Sequence, residues 1–258
     1  MNYKFSMKFI LASFILTQIL SFSFLFTGFL YAYNVSNIIS AGIVVFLLLI
    51  FLLKTTVSSR ITYNPQILLL ISLVSWCIAE TFFGYYEGIL KIDPYPSIAD
   101  LFYIVGSIFF VLFVVSMNIS YKIELAIITS FIVTFSLIVF YVVYLAVFIF
   151  EIYNYSGSLF DLILLFVYPI VDLLLMTGAI AYYFRGRSIS LNKEHIHWIF
   201  ISLFALFSLV ADITFGYNNL LNNESNDIFS DFCFNMAYMV LGVAILIRMY
   251  YINSPKNY

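Results

Sequence analysis

The chain has 258 residues, of which 64% are hydrophobic and 9% are charged, and its formal net charge is −2. Soluble domains carry about 25% charged residues, so this composition excludes an ordinary soluble enzyme. The 11 Lys and Arg residues are too few for a nucleic-acid-binding surface. We therefore predict an all-α integral membrane protein that is surrounded by membrane lipids and has no nucleic-acid partner.

Eight stretches of the chain are long and apolar enough to cross a bilayer, which needs roughly 20 apolar residues per helix. The first stretch is longer than the core of a signal peptide, and large aromatic residues crowd positions 30–33, where a cleavage site would need small residues, so we favour a retained helix over a signal peptide. The predicted spans are 9–31, 37–53, 66–86, 98–117, 125–150, 159–184, 198–217 and 228–250.

The basic residues predict how these spans are oriented, because Lys and Arg concentrate in cytoplasmic segments. With eight spans, Lys91 alone falls on the outer side, and we expect both termini in the cytoplasm of a multi-pass cell-membrane protein. The basic residues on the cytoplasmic side are Lys4, Lys8, Lys54, Arg60, Lys122, Arg185, Arg187, Lys193, Arg248 and Lys256.

Two parts of the sequence resemble each other. Residues 79–86 (AETFFGYY) match residues 211–218 (ADITFGYN), and residues 97–102 (SIADLF) match residues 228–233 (IFSDFC). We interpret this as a duplication within a single membrane domain, with repeat one at about 1–118 and repeat two at about 119–258. Four helices per repeat predict parallel halves related by a pseudo-two-fold axis along the membrane normal. A chance similarity between apolar segments is the alternative.

Several carboxylates lie inside the predicted spans, where each costs about 2.5–3.5 kcal/mol and therefore usually faces the bundle. Steps of four and seven residues return to one helical face, and the recurring Gly beside the acid allows close packing. We predict an outward-facing acidic pocket between the repeats; the alternative is that each carboxyl group only fixes helix packing. The candidate ligand-binding residues are Glu80, Glu87, Asp100, Asp172, Asp212, Asp231 and Asn235.

The remaining reactive side chains indicate no catalytic or metal site. His195 and His197 are two positions apart and so point to different helical faces, and no third ligand accompanies them. Cys77 and Cys233 lie within apolar segments and are interpreted as packing residues. We expect no enzymatic activity, no catalytic residue, no metal and no cofactor.

The segment 80–106 resembles a polytopic membrane input region that precedes diguanylate cyclases, phosphodiesterases and histidine kinases in bacteria and archaea. The specific part is DPYPSIADLFY at 93–103, and further similarity includes YPIVDLLL at 168–175, Ala211-Asp212 and Asp231. The resemblance covers about residues 60 to 245 and implies a sensory input role without naming the signal. The sequence ends shortly after the last predicted span without an output module, so we expect either a stand-alone relative of these input regions or the membrane portion of a longer protein.

Together these features predict a membrane sensory module that binds a small molecule or a cation in the acidic pocket and acts on a cytoplasmic signalling partner. The alternative is a small cation- or proton-coupled transporter, for which Asp172 and the repeats are suited. An intramembrane lipid enzyme and a purely structural partner protein are less favoured hypotheses.

Overall fold

The computed structural model describes residues 32–56, 65–119, 123–155, 157–189, 193–221 and 228–252, together with the separate residues 12, 15, 16, 19 and 23. These residues form helices and short connections. The seven α-helices are α1 (Ala32–Thr56), α2 (Gln66–Tyr85), α3 (Ile98–Ile119), α4 (Ile123–Asn154), α5 (Leu159–Ile189), α6 (His197–Leu220) and α7 (Ile228–Ile252).

Each of the seven helices contains a stretch that is long and apolar enough to cross a membrane. The prediction of a multi-pass helical membrane protein is therefore confirmed, and seven of the eight predicted spans correspond to α1–α7. The eighth, 9–31, falls almost entirely outside the described residues, so the count of eight helices stays a prediction. The predicted end of the third span differs slightly, because α2 continues as one π-helical turn, Tyr86–Leu90.

Six of the helices form a closed ring. α1 packs against α2 and α7, α3 packs against α2 and α5, and α6 packs against α5 and α7. α4 lies outside this ring, against α5 and α6. Its outer face is apolar and exposed, with Phe131 72% and Phe150 73% exposed. That surface is suited to contact with lipid chains, because an apolar side chain such as Phe can be exposed to lipid without a cost in free energy.

One half of the ring interior is filled by a layer of aromatic side chains from α2, α3 and α6. Phe110 and Phe204 stack with ring centroids 5.3 Å apart, and Trp76 lies 5.6 Å from Phe204. Phe113 stacks on Trp198 at 5.6 Å. Because such rings bury large areas and interlock, this aromatic layer closes the ring toward the ends where α1 and α7 finish.

Small residues let neighbouring helices approach closely. A Cβ atom on Gly106 of α3 would lie 2.5 Å from Cδ1 of Trp76 and 3.0 Å from the backbone oxygen of Ser72. A Cβ atom on Gly178 of α5 would lie 2.5 Å from Cγ1 of Val114. Glycine at these positions therefore permits the close contacts of α3 with α2 and with α5.

Candidate functional site

The other half of the ring encloses a cavity of about 390 Å³. All six ring helices contribute to its wall, and Trp76 and Phe204 of the aromatic layer form its floor. Its mouth lies where α2 and α6 end, beside the segment that joins α2 to α3. Among the described residues, Lys91 is the one basic side chain on the wall. The carboxylates on the wall are Glu80, Glu87, Asp93, Asp100, Asp172, Asp212 and Asp231.

The helical periodicity of the sequence accounts for this convergence. Trp76, Glu80, Phe83 and Glu87 follow one another by three or four positions and lie along one face of α2 and its π-helical turn, toward the cavity. Six of the seven predicted ligand-binding residues line the cavity, whereas Asn235 lies behind the wall with 0% exposure. That any of them binds a ligand stays a prediction.

Glu80 is buried and held by two tyrosines. Its Oε1 accepts a hydrogen bond of 2.7 Å from the hydroxyl of Tyr238 on α7, and the hydroxyl of Tyr103 on α3 donates to the same carboxyl group. Trp76 supports this arrangement, since its indole N–H donates to the backbone oxygen of Tyr103 at 3.1 Å. Glu80 therefore joins three helices as well as lining the cavity.

Asp100 has a defined structural role at the start of α3. Its Oδ2 accepts from the backbone N–H of Ser97 at 2.7 Å, while Ser97 Oγ accepts from the N–H of Ala99 at 3.1 Å, which together form a capping box. Its Oδ1 accepts from the hydroxyl of Tyr168 on α5 at 2.7 Å. Both oxygens of this predicted ligand-binding residue are thus occupied by protein donors, as the helix-packing alternative expects.

The segment before Asp100 forms the rim of the cavity. Asp93 Oδ1 accepts from the backbone N–H of Tyr95 at 2.9 Å, a local turn that brings the tyrosine inward. The hydroxyl of Tyr95 donates to the backbone oxygen of Asp161 at 2.6 Å, which fastens the rim to the start of α5. Burial, followed by the negative charge of Asp100, raises the pKa of Tyr95 above its ordinary value, so this phenol stays a donor.

Asp231 and Asn235 belong to a polar interface between α1 and α7. Asp231 Oδ1 accepts from Asn37 at 3.2 Å, and Asn235 Oδ1 accepts from Ser36 and Ser40, each at 2.8 Å. The amide nitrogen of Asn235 also donates to Asn37. Asn235, predicted as a ligand-binding residue, is therefore engaged in joining α1 to α7.

The pair formed by Asp172 and Asp212 differs from the other carboxylates. The two groups face each other from α5 and α6 across the cavity wall, and two carboxyl groups in such contact can hydrogen-bond only when one of them carries a proton. Asp172 is 5% exposed, and its Oδ2 has no hydrogen-bond partner within the part of the chain that the structure describes. Buried polar atoms almost always have partners, so this oxygen is the exceptional acceptor of the cavity.

The polar residues of α1 were not predicted as part of the site, although the sequence carries a signal for them. Ser36, Asn37 and Ser40 interrupt an apolar span and share a helical face, in the same way that Asp231 and Asn235 do on α7. Two polar stripes in apolar helices indicate a buried polar interface between them. No comparable pattern in the sequence predicts the contact of Asp172 with Asp212.

The histidines and acids of the described residues include no group of three or more side chains that is positioned to hold a metal ion. Comparison with protein-family models, with curated proteins and with solved structures finds no match to this chain.

Proposed function

We propose that the protein is a sensory module of the cell membrane, which binds a small-molecule or cationic ligand in the cavity and acts on a cytoplasmic signalling partner. The observation that carries this proposal is the cavity itself, which is walled by all six ring helices and closed below by the aromatic layer. A ligand inside it contacts every ring helix, so its binding energy can favour one arrangement of the ring over another. The similarity of residues 93–103 to membrane input regions supports the same role.

The proposal describes binding rather than catalysis. The described residues of the cavity wall include no His and no Cys, so a general base there would have to be one of the carboxylates. The carboxylates themselves are largely engaged with protein donors, as described above. Ligand binding, unlike catalysis, needs no free general base or nucleophile among these side chains.

The far end of α7 offers a route for the signal. When the Gln66 amide on α2 is assigned with its oxygen toward Arg248, as the hydrogen-bond geometry favours, the guanidinium donates to that oxygen at 2.7 and 3.2 Å. The same guanidinium lies 5.6 Å from the ring centroid of Phe51 on α1. A shift of α7 alters these contacts, which lie at the end that the basic residues assign to the cytoplasm.

The ring supports the proposed duplication. α1, α2 and α3 form one consecutive set, α5, α6 and α7 form the other, and the two joints, α3 with α5 and α7 with α1, are equivalent under a two-fold axis. The hydrogen bonds at the joints are equivalent as well: Tyr168 donates to Asp100 and Asn37 donates to Asp231. Donors and acceptors are each 131 positions apart.

The experiment that tests the sensory proposal combines binding and movement. Thermal unfolding of the purified chain is measured with a panel of inorganic cations, organic amines and neutral amphiphiles. Ser208→Phe fills the cavity from α6, and Ser202→Phe on the same helix, away from the cavity wall, is the matched control. We expect a ligand that raises the melting temperature of the parent and of the control but not of Ser208→Phe.

Movement is then measured by spin-label distances between cysteines at Val115 of α3 and Tyr250 of α7, both exposed positions, after Cys77 and Cys233 are replaced by Ala. We expect the bound ligand to change the distance distribution. An unchanged distribution at saturating ligand contradicts signalling through α7, and a panel without any binder contradicts the ligand-binding role.

A small cation- or proton-coupled transporter is the second candidate. Its supporting observation is the Asp172–Asp212 pair, a protonatable site inside the bundle. If proteoliposomes that contain the protein take up a cation or protons, and the Asp172→Asn variant abolishes this uptake, the transporter is favoured over the sensor.

A further inference from the structure

The unsatisfied acceptor of the cavity defines where a ligand is needed. Glu80, Asp100 and Asp231 each accept hydrogen bonds from protein side chains. Asp172 lines the same cavity, is 5% exposed, and has an oxygen without a partner. Leaving a buried acceptor unsatisfied is unfavourable, so a ligand that supplies a donor to Oδ2 of Asp172 removes a defect that the protein alone retains.

The chemistry of this pair favours an ammonium group. Asp172 and Asp212 together offer carboxyl oxygens and can bind a positive charge between them, and an ammonium group carries several N–H donors. One N–H donor can take the place of a proton between the two carboxyl groups, and the positive charge offsets their negative charge. A neutral hydroxyl or amide ligand supplies donors without the charge and leaves the pair uncompensated.

The size and walls of the cavity favour an organic cation over a bare ion. The volume of about 390 Å³ is more than ten times the share of one water, which is about 30 Å³, and lies within the roughly 300–1,000 Å³ typical of small-molecule pockets. Trp76, Phe204 and Phe234 present aromatic rings to this space. Such rings attract organic cations, and the described residues include no three-ligand metal cluster.

We propose that the cavity takes an organic ammonium cation, with its charged nitrogen between the carboxyl groups of Asp172 and Asp212 and its hydrocarbon body against the aromatic wall. This inference rests on the ligand-binding role proposed above and names the chemical class of the ligand. The charge and the size of the ligand are the two properties for which the cavity is selective.

The test compares two probes of nearly the same shape, 2-phenylethylammonium and the neutral 2-phenylethanol, by calorimetric titration of the purified full chain. We expect the ammonium probe to bind at least about 30-fold more tightly, since the loss of one partner of a buried charge pair costs roughly 2 kcal/mol or more. Asp172→Asn should weaken the ammonium probe to a similar degree and leave the binding of 2-phenylethanol nearly unchanged.

Asp161→Asn is the matched control, because it makes the same chemical change on α5 at a carboxylate outside the cavity wall, where Asp161 caps the helix with Ser158. It should lower the melting temperature without weakening either probe. Sodium and calcium chloride are titrated in parallel. Equal binding of the two probes, or a Na⁺ or Ca²⁺ ion that binds in an Asp172-dependent way while the ammonium probe does not, overturns the ammonium assignment.

Those outcomes leave the sensory proposal standing, since a neutral or inorganic ligand still occupies the cavity. If no probe or ion binds and no compound of the wider panel stabilises the chain, the ammonium inference and the proposed function both fail. The two failures are therefore distinguishable by whether anything at all binds in a manner that Ser208→Phe prevents.

Discussion

Carboxylates of the cavity fall into two kinds according to their hydrogen-bond partners. Asp100 accepts from a backbone N–H and from Tyr168, and Glu80 accepts from Tyr238 and Tyr103. These side chains connect helices and stabilise the ring. Asp172 instead meets a second carboxyl group and keeps an unpartnered oxygen, which is unfavourable for folding. A side chain that weakens the fold in this way is the kind expected at a binding site.

The distinction predicts opposite effects of the same substitution at Asp100 and Asp172. Asp100→Asn weakens the capping box and the bond from Tyr168, so we expect a loss of about 1 kcal/mol in the free energy of unfolding. Asp172→Asn supplies an amide donor to Asp212 and removes the need for a shared proton, so stability should be unchanged or higher. Unfolding in mixed detergent micelles measures both. A loss at Asp172 equal to that at Asp100 contradicts the division into structural and binding carboxylates.

At the scale of the helix, much could be predicted from the sequence and some of it could not. Continuous apolar runs predicted α1 to α7, because each must satisfy its backbone hydrogen bonds within the membrane. The seven-residue spacing of Glu80 and Glu87 predicted a common direction for those two side chains. The meeting of Asp172 with Asp212 was not predictable, because it depends on how α5 and α6 pack together. The π-helical turn Tyr86–Leu90 was not predicted either.

Close helix packing predicts a strong effect at Gly106. An added Cβ would press on the indole ring of Trp76 and on the backbone of α2, and Trp76 cannot move freely because Phe110, Phe204 and the oxygen of Tyr103 hold it. We expect Gly106→Ala to lower the free energy of unfolding by about 1–3 kcal/mol.

Gly42 in α1 is the matched control for that substitution, because an added Cβ there meets nothing within 4 Å. Gly42→Ala should be neutral or stabilise the helix by up to about 1 kcal/mol. Both variants are compared by thermal unfolding in one detergent. Equal melting temperatures for the two variants would mean that the contact of α2 with α3 is looser than the structure indicates.

For the whole molecule, the proposed duplication explains the frame of the cavity and also where its two halves differ. At the offsets of the two repeats, 131 and 132 positions, Ala41 and Glu80 correspond to Asp172 and Asp212. The facing acidic pair therefore exists in one half alone, whereas the bonds at the two joints recur in both. A symmetric ring with one asymmetric pair is suited to hold a ligand off its axis, closer to α5 and α6 than to α1 and α2.

The last prediction concerns the number of spans. With eight, both termini lie in the cytoplasm, and with seven they lie on opposite sides of the membrane. Single cysteines are introduced into a chain with Cys77→Ala and Cys233→Ala. We expect a membrane-impermeant maleimide added to intact cells to label Ile92→Cys, because the side chain of Ile92 at the rim of the cavity is 51% exposed. Ser6→Cys and Ser254→Cys should be labelled only after permeabilisation, because the basic residues near both ends favour the cytoplasm. Labelling of one terminus in intact cells contradicts an eight-span arrangement. Labelling of both termini in intact cells would mean that the orientation is opposite to the predicted one and that the mouth of the cavity faces the cytoplasm.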